Sequence, residues 1–288
     1  MSVCDITMYS KSVTESSRSA LVEILRILAS YTAHLVLSGG WAPYFLLETY
    51  GVGGQHCGSI DIDFVLNPRL IDVKVYETII SLIEKRGYSQ YVTENGDRIP
   101  FRFHRSVKSP LDGIERSIKI DFITEPETAE KLSGEKFLAV QRDLQAVVIR
   151  GSSVVFSHKF QQEIEGMLPN GARTKALANI SDAVGCLATK GLALKGRYKE
   201  KDAYDIYLVL RHYKGGPQRV AEIVRNSVRE PVVAEALEEI RRKFETARSE
   251  GPFQVGYFLA PGDARLQERI QGEAHVVVRT FLAGLEKA

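Results

Sequence analysis

The 288-residue chain contains only three cysteines, Cys4, Cys57 and Cys186, and they are far apart. Such spacing forms neither a disulfide framework nor a zinc-ligand pattern, so it favours a reducing compartment. No apolar run reaches the roughly 20 residues that cross a membrane, and the N-terminus carries Asp5 where a signal peptide has an apolar core. We therefore expect a cytoplasmic protein with no membrane partner.

The chain also has almost no net charge, because 38 lysines and arginines balance 36 acidic residues to a formal +2. This overall balance does not indicate a nucleic-acid-binding protein, so any such role needs a local basic patch. Hydrophobic residues make up 44% of the sequence and charged residues 26%. The composition predicts an ordinary globular protein with one large or two modest domains.

The most informative feature is a pair of aspartates in a strand-like segment, SIDIDF at residues 59–64. Asp61 and Asp63 are two positions apart, so on an extended backbone both carboxylates point to one face and the apolar side chains to the other. Two like charges about 6–7 Å apart repel each other unless a cation lies between them. Divalent cations require oxygen ligands held in this way, so the pair predicts a metal site.

A second segment, SIKIDFI at residues 117–123, repeats the same apolar rhythm and carries Asp121 on the opposite face. Two strands with matching patterns can share a sheet, which would present Asp61, Asp63 and Asp121 together. Three convergent carboxylates suit one or two Mg²⁺ ions, or Mn²⁺ in their place, which keep waters and bind substrate phosphates.

A glycine turn precedes the aspartate motif by about twenty residues. A short apolar strand at residues 34–37 runs into Ser38, Gly39 and Gly40, and a helix is predicted at residues 42–50. A strand–Gly-Gly–helix junction lets backbone amides approach an anion, so we expect these glycines to contact nucleotide phosphates. Ser38, and Ser59 in the aspartate motif, have two open interpretations, phosphate binding or satisfaction of nearby backbone groups.

The pattern predicts a mixed-sheet α/β half followed by a helical half, divided as residues 1–159 and 160–288. Further strands are predicted at residues 88–92, 100–105, 116–124, 146–150 and 153–157. Helices are predicted at residues 14–31, 75–83, 180–194, 203–210, 218–228, 231–247 and 262–285.

The helical half concentrates basic residues around a helix–loop–helix junction at residues 190–207. Lys190, Arg197 and Lys201 would hold a triphosphate and stabilise leaving pyrophosphate if this region lies over the carboxylates. Asp202 and Asp205 could orient these lysines. The alternative is that the lysines are solvated and that the acids only favour a helix N-terminus.

These motifs resemble those of nucleotidyltransferases of the DNA polymerase β superfamily. Residues 38–42 (SGGWA) resemble the glycine motif, residues 59–63 resemble the Ser-x-Asp-x-Asp metal motif, and Asp121 matches the third carboxylate. Lys190 with residues 201–205 (KDAYD) resembles the "Lys … Lys-Asp-x-x-Asp" signature of the AbiEii/AbiGii group known from abortive-infection toxin–antitoxin systems. The resemblance covers about two thirds of the chain, and the order and spacing of its motifs make it specific at superfamily level.

The resemblance implies a nucleotidyltransferase-like mixed β-sheet flanked by helices, with a C-terminal helical domain that completes the active-site cleft. It implies metal-dependent transfer of a nucleoside monophosphate from an NTP to an acceptor hydroxyl, with release of pyrophosphate. The implied catalytic residues are Asp61, Asp63, Asp121 and Lys190, of which the three aspartates hold the metal. The implied nucleotide-binding residues are Ser38, Gly39, Gly40, Ser59, Lys190, Lys201 and Asp205.

The acceptor stays open at this point. RNA, in particular a tRNA 3′ end, fits a toxin that has an antitoxin partner, and Arg98, Arg102, Arg105 and Lys108 with the basic stretch 190–201 would follow its phosphates. A small molecule is a second candidate acceptor, since the SGGWA run also resembles that of aminoglycoside adenylyltransferases, and a protein hydroxyl is a third. A different alternative is that the protein is a catalytically silent nucleotide-binding module.

Two further observations concern the segment before the aspartates. The toxin group often has an arginine two residues before the motif serine, where this chain has Cys57. The six histidines, including His56, are scattered, and no spacing suggests that any of them pairs with a carboxylate or binds zinc.

Overall fold

The computed structural model describes residues 4–72, 77–127 and 136–286. These residues form a mixed nine-stranded sheet flanked by helices and followed by a helical C-terminal region, which confirms the predicted α/β fold class. The strands are β1 Leu35–Leu37, β2 Ile62–Leu66, β3 Ser89–Val92, β4 Arg98–Lys108, β5 Glu115–Thr124, β6 Phe137–Ala139, β7 Gln145–Val148, β8 Lys159–Met167 and β9 Arg173–Ser181. The helices are α1 Lys11–Ile27, α2 Trp41–Tyr50, α3 Ile79–Glu84, α4 Ala183–Gly196, α5 Glu200–His212, α6 Pro217–Val224, α7 Pro231–Lys243, α8 Glu250–Leu259 and α9 Ala264–Glu286.

The chain divides into two compact units, each built from separate stretches of sequence. The sheet unit contains residues 11–41 and 59–181, and the helical unit contains residues 1–10, 42–58 and 182–288. Among the helices of the described ranges, none combines the length and the apolar character needed to span a membrane.

In the sheet unit the main strand order is β3-β4-β5-β2-β1-β9-β8, with β7 paired to β5 and β6 paired to β7. Strands β2 and β5 are parallel neighbours, with Ile62 opposite Ile120 and Phe64 opposite Phe122. The two phenylalanine rings stack with centroids 6.4 Å apart. The two segments with matching apolar rhythm therefore share a sheet and pack on one core, as predicted.

Helix α1 covers this apolar face of the sheet. Its buried face includes Leu21, Ile24 and Leu25, and Leu25 lines a small apolar cavity together with Phe64 of β2. Each fully buried side chain of this size contributes about 1.5–3 kcal/mol of stability. Because side chains alternate along a strand, the residues that follow and precede Phe64 and Phe122 point to the opposite face.

The helical unit is built on close helix packing. Helices α4 and α7 approach so closely at Gly191 that a Cβ there would lie 2.7 Å from the carbonyl oxygen of Ala236. Helix α5 buries a nearly continuous run of side chains from Lys201 to Leu210, and Tyr204 of this helix packs on Phe258 of α8 with ring centroids 4.4 Å apart.

Several element predictions were wrong between residues 150 and 181. Residues 153–157 were predicted as a strand, but Ser152–Phe156 is a 3-10 helix. The sheet continues to Ser181, beyond the boundary predicted at residue 159, because β8 and β9 form a long antiparallel hairpin where helix was expected. Strand β8 exposes most of its polar side chains, so its sequence lacks the apolar alternation that marks a strand.

The C-terminal helices begin close to the predicted positions, but α8, Glu250–Leu259, was not predicted. Its sequence EGPFQVGYFL contains proline and two glycines, which normally interrupt helices. The proline lies in the first turn, where it is tolerated. Residues 75 and 76 of the predicted helix 75–83 lie outside the described residues, and α3 begins at Ile79.

Candidate functional site

The sheet unit places Asp63, at the start of β2, beside Asp121, within the neighbouring parallel strand β5. Asp63 of β2 and Asp121 of β5 are register partners, which puts their backbones about 4.8 Å apart with both side chains on the same face. Asp121 is 9% exposed, and Asp63 is half-buried. Asp61 lies directly before β2 and is also half-buried.

An arginine lies among these carboxylates. Arg102 of β4 is the register partner of Asp121, and its Nε and Nη2 donate to the two Asp121 carboxylate oxygens at 2.6 Å each. These hydrogen bonds raise the pKa of Arg102 against the opposing effect of burial, and the charges of Asp61 and Asp63 raise it further. The guanidinium therefore neutralises the charge of Asp121 and lies near the charges of Asp61 and Asp63.

Gly39 packs directly on Asp63. The glycine has a φ of 60°, and a Cβ at this position would lie 1.8 Å from Asp63 Oδ2. The neighbouring Ser38 amide donates to the Asp63 carbonyl oxygen at 2.9 Å. The predicted glycine turn and the predicted metal motif are therefore in contact, and glycine is required at position 39 by both space and backbone conformation.

The two serines are buried, with Ser38 5% and Ser59 6% exposed. The Ser59 hydroxyl donates to the Asp61 carbonyl oxygen at 2.9 Å. This bond fixes the chain as it enters β2, which is the backbone-satisfying role that the sequence left open for Ser59.

Asp61, Asp63 and Asp121 supply the oxygen atoms that a divalent cation would use at this site. Carboxylate oxygens are the ligands that Mg²⁺ and Mn²⁺ prefer, and the register of Asp63 and Asp121 suits shared ligation. Within residues 4–72, 77–127 and 136–286, however, no three His, Cys, Asp or Glu side chains are placed to hold a metal ion as they stand. The three aspartates match a divalent cation in ligand type, and the register of Asp63 and Asp121 suits shared ligation. Ligation by Asp121 requires that Arg102 leave the Asp121 carboxylate.

The helical unit contains the other predicted residues, Lys190, Lys201, Asp202 and Asp205, in a buried ion cluster. Lys190 Nζ lies 2.8 Å from Asp202 Oδ1 and 2.7 Å from Asp205 Oδ2. Lys201 Nζ lies 2.8 Å from Asp205 Oδ1, and Arg197 Nε lies 2.8 Å from Asp202 Oδ2. The two aspartates thus hold the two lysines, as the sequence suggested, and the five groups carry a formal charge of +1.

Lys190 and Asp202 stay charged despite burial. Burial lowers the pKa of Lys190, but Asp202 and Asp205 outweigh it and raise the pKa above the ordinary lysine value. Burial raises the pKa of Asp202, and Lys190 and Arg197 reverse this effect and bring it down to about 2. Asp205 is completely buried among side chains of its own unit, and its carboxylate holds both lysine ammonium groups in place. Nucleotide contact by Lys190, Lys201 and Asp205 stays a prediction.

His56 is a member of this cluster that sequence reasoning missed. Its Nε2 lies 2.8 Å from Asp205 Oδ1, and its Nδ1 accepts from the Gly58 amide at 3.0 Å. The proton of the neutral ring is therefore on Nε2. Burial and the charge of Lys201 lower the pKa of His56 to about 4. The expectation that no histidine pairs with a carboxylate was wrong, and because 149 positions separate the partners, no local spacing reveals the pair.

Four of the basic residues predicted to follow RNA phosphates lie on β4, and they divide into two pairs. Arg102 is bound to Asp121, and Arg105 forms an ion pair with Glu23 on the opposite face of β4. Arg98 and Lys108 are exposed at the two ends of the strand. The strand therefore offers two exposed positive charges, fewer than the sequence suggested.

Comparisons with known proteins give little further information. No protein-family model matches the chain, and no curated protein matches it. A solved structure described as the crystal structure of JHP933 from Helicobacter pylori is similar with a TM-score of 0.42 and 15% sequence identity, over 96% of this chain and 95% of that one.

Proposed function

We propose that this protein is a metal-dependent nucleotidyltransferase that moves a nucleoside monophosphate from an NTP to an acceptor hydroxyl. The observation that carries the proposal is the register of Asp63 and Asp121 on neighbouring strands, with Gly39 packed against the Asp63 carboxylate. Adjacent carboxylates repel each other, so they do not by themselves stabilise a fold. A divalent cation that binds substrate phosphates needs convergent oxygen ligands of this kind.

In the proposed reaction the acceptor oxygen attacks the α-phosphorus of the NTP. The bond between the α-phosphorus and the oxygen bridging to the β-phosphorus breaks, pyrophosphate leaves with that electron pair, and the hydroxyl proton passes to solvent. Asp61, Asp63 and Asp121 would hold the divalent cation, which when bound neutralises phosphate charge in such reactions. The backbone around Gly39 and Gly40 would orient the phosphates beside these acids.

The proposal extends to RNA as the acceptor, in particular a tRNA 3′ end, in a toxin–antitoxin-like system. It is supported by the resemblance of the Lys190 and 201–205 motifs to the AbiEii/AbiGii group. Exposed Arg98 and Lys108 at the ends of β4 would contribute to phosphate binding. A small hydroxylated acceptor is the competing outcome of the test below.

The proposal is tested by incubating the protein with Mg²⁺, each of the four [α-³²P]NTPs and total cellular RNA. We expect label in RNA with the wild type and a loss of at least about 100-fold in Asp63→Asn, since one charged ligand of the cation is removed. Asp97→Asn is the matched control, because Asp97 is exposed in the β3–β4 turn and its replacement should leave transfer unchanged.

Transfer by Asp63→Asn at the wild-type rate, with the variant folded by circular dichroism, would refute the assignment. Label in small hydroxylated compounds but not in RNA would keep the transferase and reject the RNA acceptor. RNA binding by the active protein should weaken steeply with salt, and less steeply in a variant that combines Arg98→Gln with Lys108→Gln.

A further inference from the structure

The guanidinium of Arg102 is built into the acidic cluster of Asp61, Asp63 and Asp121. It binds both oxygens of Asp121, which a cation would need as ligands. Asp121 is the register partner of Asp63, so the guanidinium lies on the face of the sheet that carries the metal motif. With Arg102 in place the three acids carry a formal −2, and without it they would carry −3.

We infer that Arg102 is an internal competitor for the divalent cation, and that the cation binds Asp121 only when the guanidinium moves off this carboxylate. The inference rests on the proposed function, because it takes the three aspartates as the cation's ligands. It adds a positioning residue that the motif resemblance does not contain.

The guanidinium also contacts two aromatic rings in the position where it binds Asp121. Its Cζ lies 5.8 Å from the ring centre of Tyr91 and 5.7 Å from that of Phe101, so part of its interaction energy does not depend on the carboxylate. The Arg102 side chain is 30% exposed, which leaves it room to move. Release of the guanidinium breaks its charge-assisted hydrogen bonds with Asp121. The free energy of this step lowers the affinity of the site for a cation that binds without a nucleotide.

A consequence follows for the nucleotide. A guanidinium released beside the cluster has lost its anion, and the triphosphate of an NTP would replace it. The cation and the triphosphate should therefore bind cooperatively, each favouring the arrangement in which Arg102 has left Asp121.

The test is direct titration of the full-length protein with Mn²⁺, followed by the electron paramagnetic resonance signal of the free ion. Arg102→Gln should bind Mn²⁺ about tenfold more tightly than the wild type, because the competing charge is gone while an amide donor is kept. Arg102→Lys keeps the charge and loses the fork geometry, so it should lie between them.

Arg105→Gln is the matched control. Arg105 lies on the same strand and forms an ion pair with Glu23, on the opposite face of the sheet from Asp121. Its replacement removes one positive charge from the same strand and should leave Mn²⁺ affinity unchanged. A non-hydrolysable NTP analogue should tighten Mn²⁺ binding in the wild type and much less in Arg102→Gln.

The outcomes separate this inference from the proposed function. If Arg102→Gln binds Mn²⁺ no more tightly than the wild type, and Asp63→Asn abolishes binding in both, the competitor role is overturned and the metal site stands. If neither the wild type nor any folded variant binds Mn²⁺, both the competitor role of Arg102 and the proposed metal-dependent function are rejected. If Arg102→Gln does not fold, the comparison of Arg102→Lys with the wild type decides, and equal affinity overturns the competitor role.

Discussion

Arg102 and Asp121 lie opposite each other in the β4–β5 ladder and are joined by two hydrogen bonds of 2.6 Å. A bidentate guanidinium–carboxylate pair is among the strongest polar contacts in proteins and fixes the geometry of both groups. Asp121 is therefore held beside Asp63 before any ligand binds. The pair also offsets the repulsion among three acids, so the folded chain can carry an acidic cluster without a bound ion.

The first prediction concerns the contact between Gly39 and Asp63. Gly39→Ala places a methyl group 1.8 Å from the present position of Asp63 Oδ2, at a φ of 60° that L-residues avoid. Asp63 must rotate away, so we expect loss of Mn²⁺ binding and of nucleotidyl transfer, together with a loss of about 2 kcal/mol in unfolding free energy. Urea denaturation and Mn²⁺ titration measure the two effects.

The Gly96→Ala variant separates the cost of backbone strain from the effect of a methyl group on the Asp63 carboxylate. Gly96 has a φ of 88°, and no atom lies within 4 Å of the position that a methyl group would take there, so its replacement carries the backbone cost alone, about 1 kcal/mol. It should bind Mn²⁺ like the wild type. Normal Mn²⁺ binding by Gly39→Ala would show that the glycine turn does not support the Asp63 carboxylate.

The second prediction is a pH dependence of stability caused by His56. Its pKa falls from an ordinary 6.5 to about 4 in the folded protein, so between these values the unfolded chain binds a proton that the folded chain does not. Stability is then complete above pH 6.5 and falls as the pH is lowered towards 4, by about 2 kcal/mol between pH 7 and pH 5. Urea unfolding at a series of pH values measures this loss.

His56→Gln is the variant that isolates the effect. Its amide can still donate to Asp205, but it does not titrate, so the fall between pH 7 and pH 5 should shrink by about 2 kcal/mol. Asp205 and Lys190, which act on His56, are charged over this whole range because the pKa of Asp205 is lowered and that of Lys190 is raised. An identical pH profile in the variant and the wild type would contradict a neutral buried His56.

The site could be predicted from sequence where its chemistry depends on local pattern. The alternation of residues 59–64 and 117–123 placed Asp63 and Asp121 on one face of a common sheet, and the structure pairs them. The same alternation could have revealed Arg102. A turn at residues 110–113 sets which residues of β4 and β5 lie opposite each other. In this register Arg102 lies opposite Asp121.

Other features depend on contacts that no local pattern encodes. His56 and Asp205 are 149 positions apart, and only the folding of the helical unit brings them together. Strand β8 pairs with β9, and β9 pairs with β1 through Ile180. The polar, mostly exposed side chains of β8 resemble those of a surface helix. Tertiary pairing, not intrinsic propensity, makes β8 and β9 strands.

The third prediction tests the buried ion cluster. Asp205 accepts hydrogen bonds from Lys201 and His56, forms an ion pair with Lys190 and has no exposed surface. Asp205→Asn removes the charge that compensates two buried lysines, so we expect a loss of about 3–5 kcal/mol in unfolding free energy.

The control for the buried cluster is an exposed pair on α6, Arg219 and Glu222, whose side chains are 60% and 49% exposed. Arg219→Gln should change the unfolding free energy by less than about 1 kcal/mol. Urea denaturation of both variants at pH 7 makes the comparison. Equal small losses in the two variants would mean that the cluster is reached by water and is not a buried network.

The fourth prediction contrasts two helical glycines that have different surroundings. At Gly191 a methyl group would lie 2.7 Å from the Ala236 carbonyl oxygen, which is backbone and cannot move away alone. Gly191→Ala should push α4 away from α7 and lower the melting temperature, with a loss of about 1–3 kcal/mol. Gly272 of α9 has open space around its methyl position, so Gly272→Ala should raise stability by about 0.5–1 kcal/mol through helix propensity. Thermal unfolding measures the melting temperature of both variants. The melting temperature should fall in Gly191→Ala and rise in Gly272→Ala if α4 and α7 pack closely at Gly191. A rise in both variants would refute that packing.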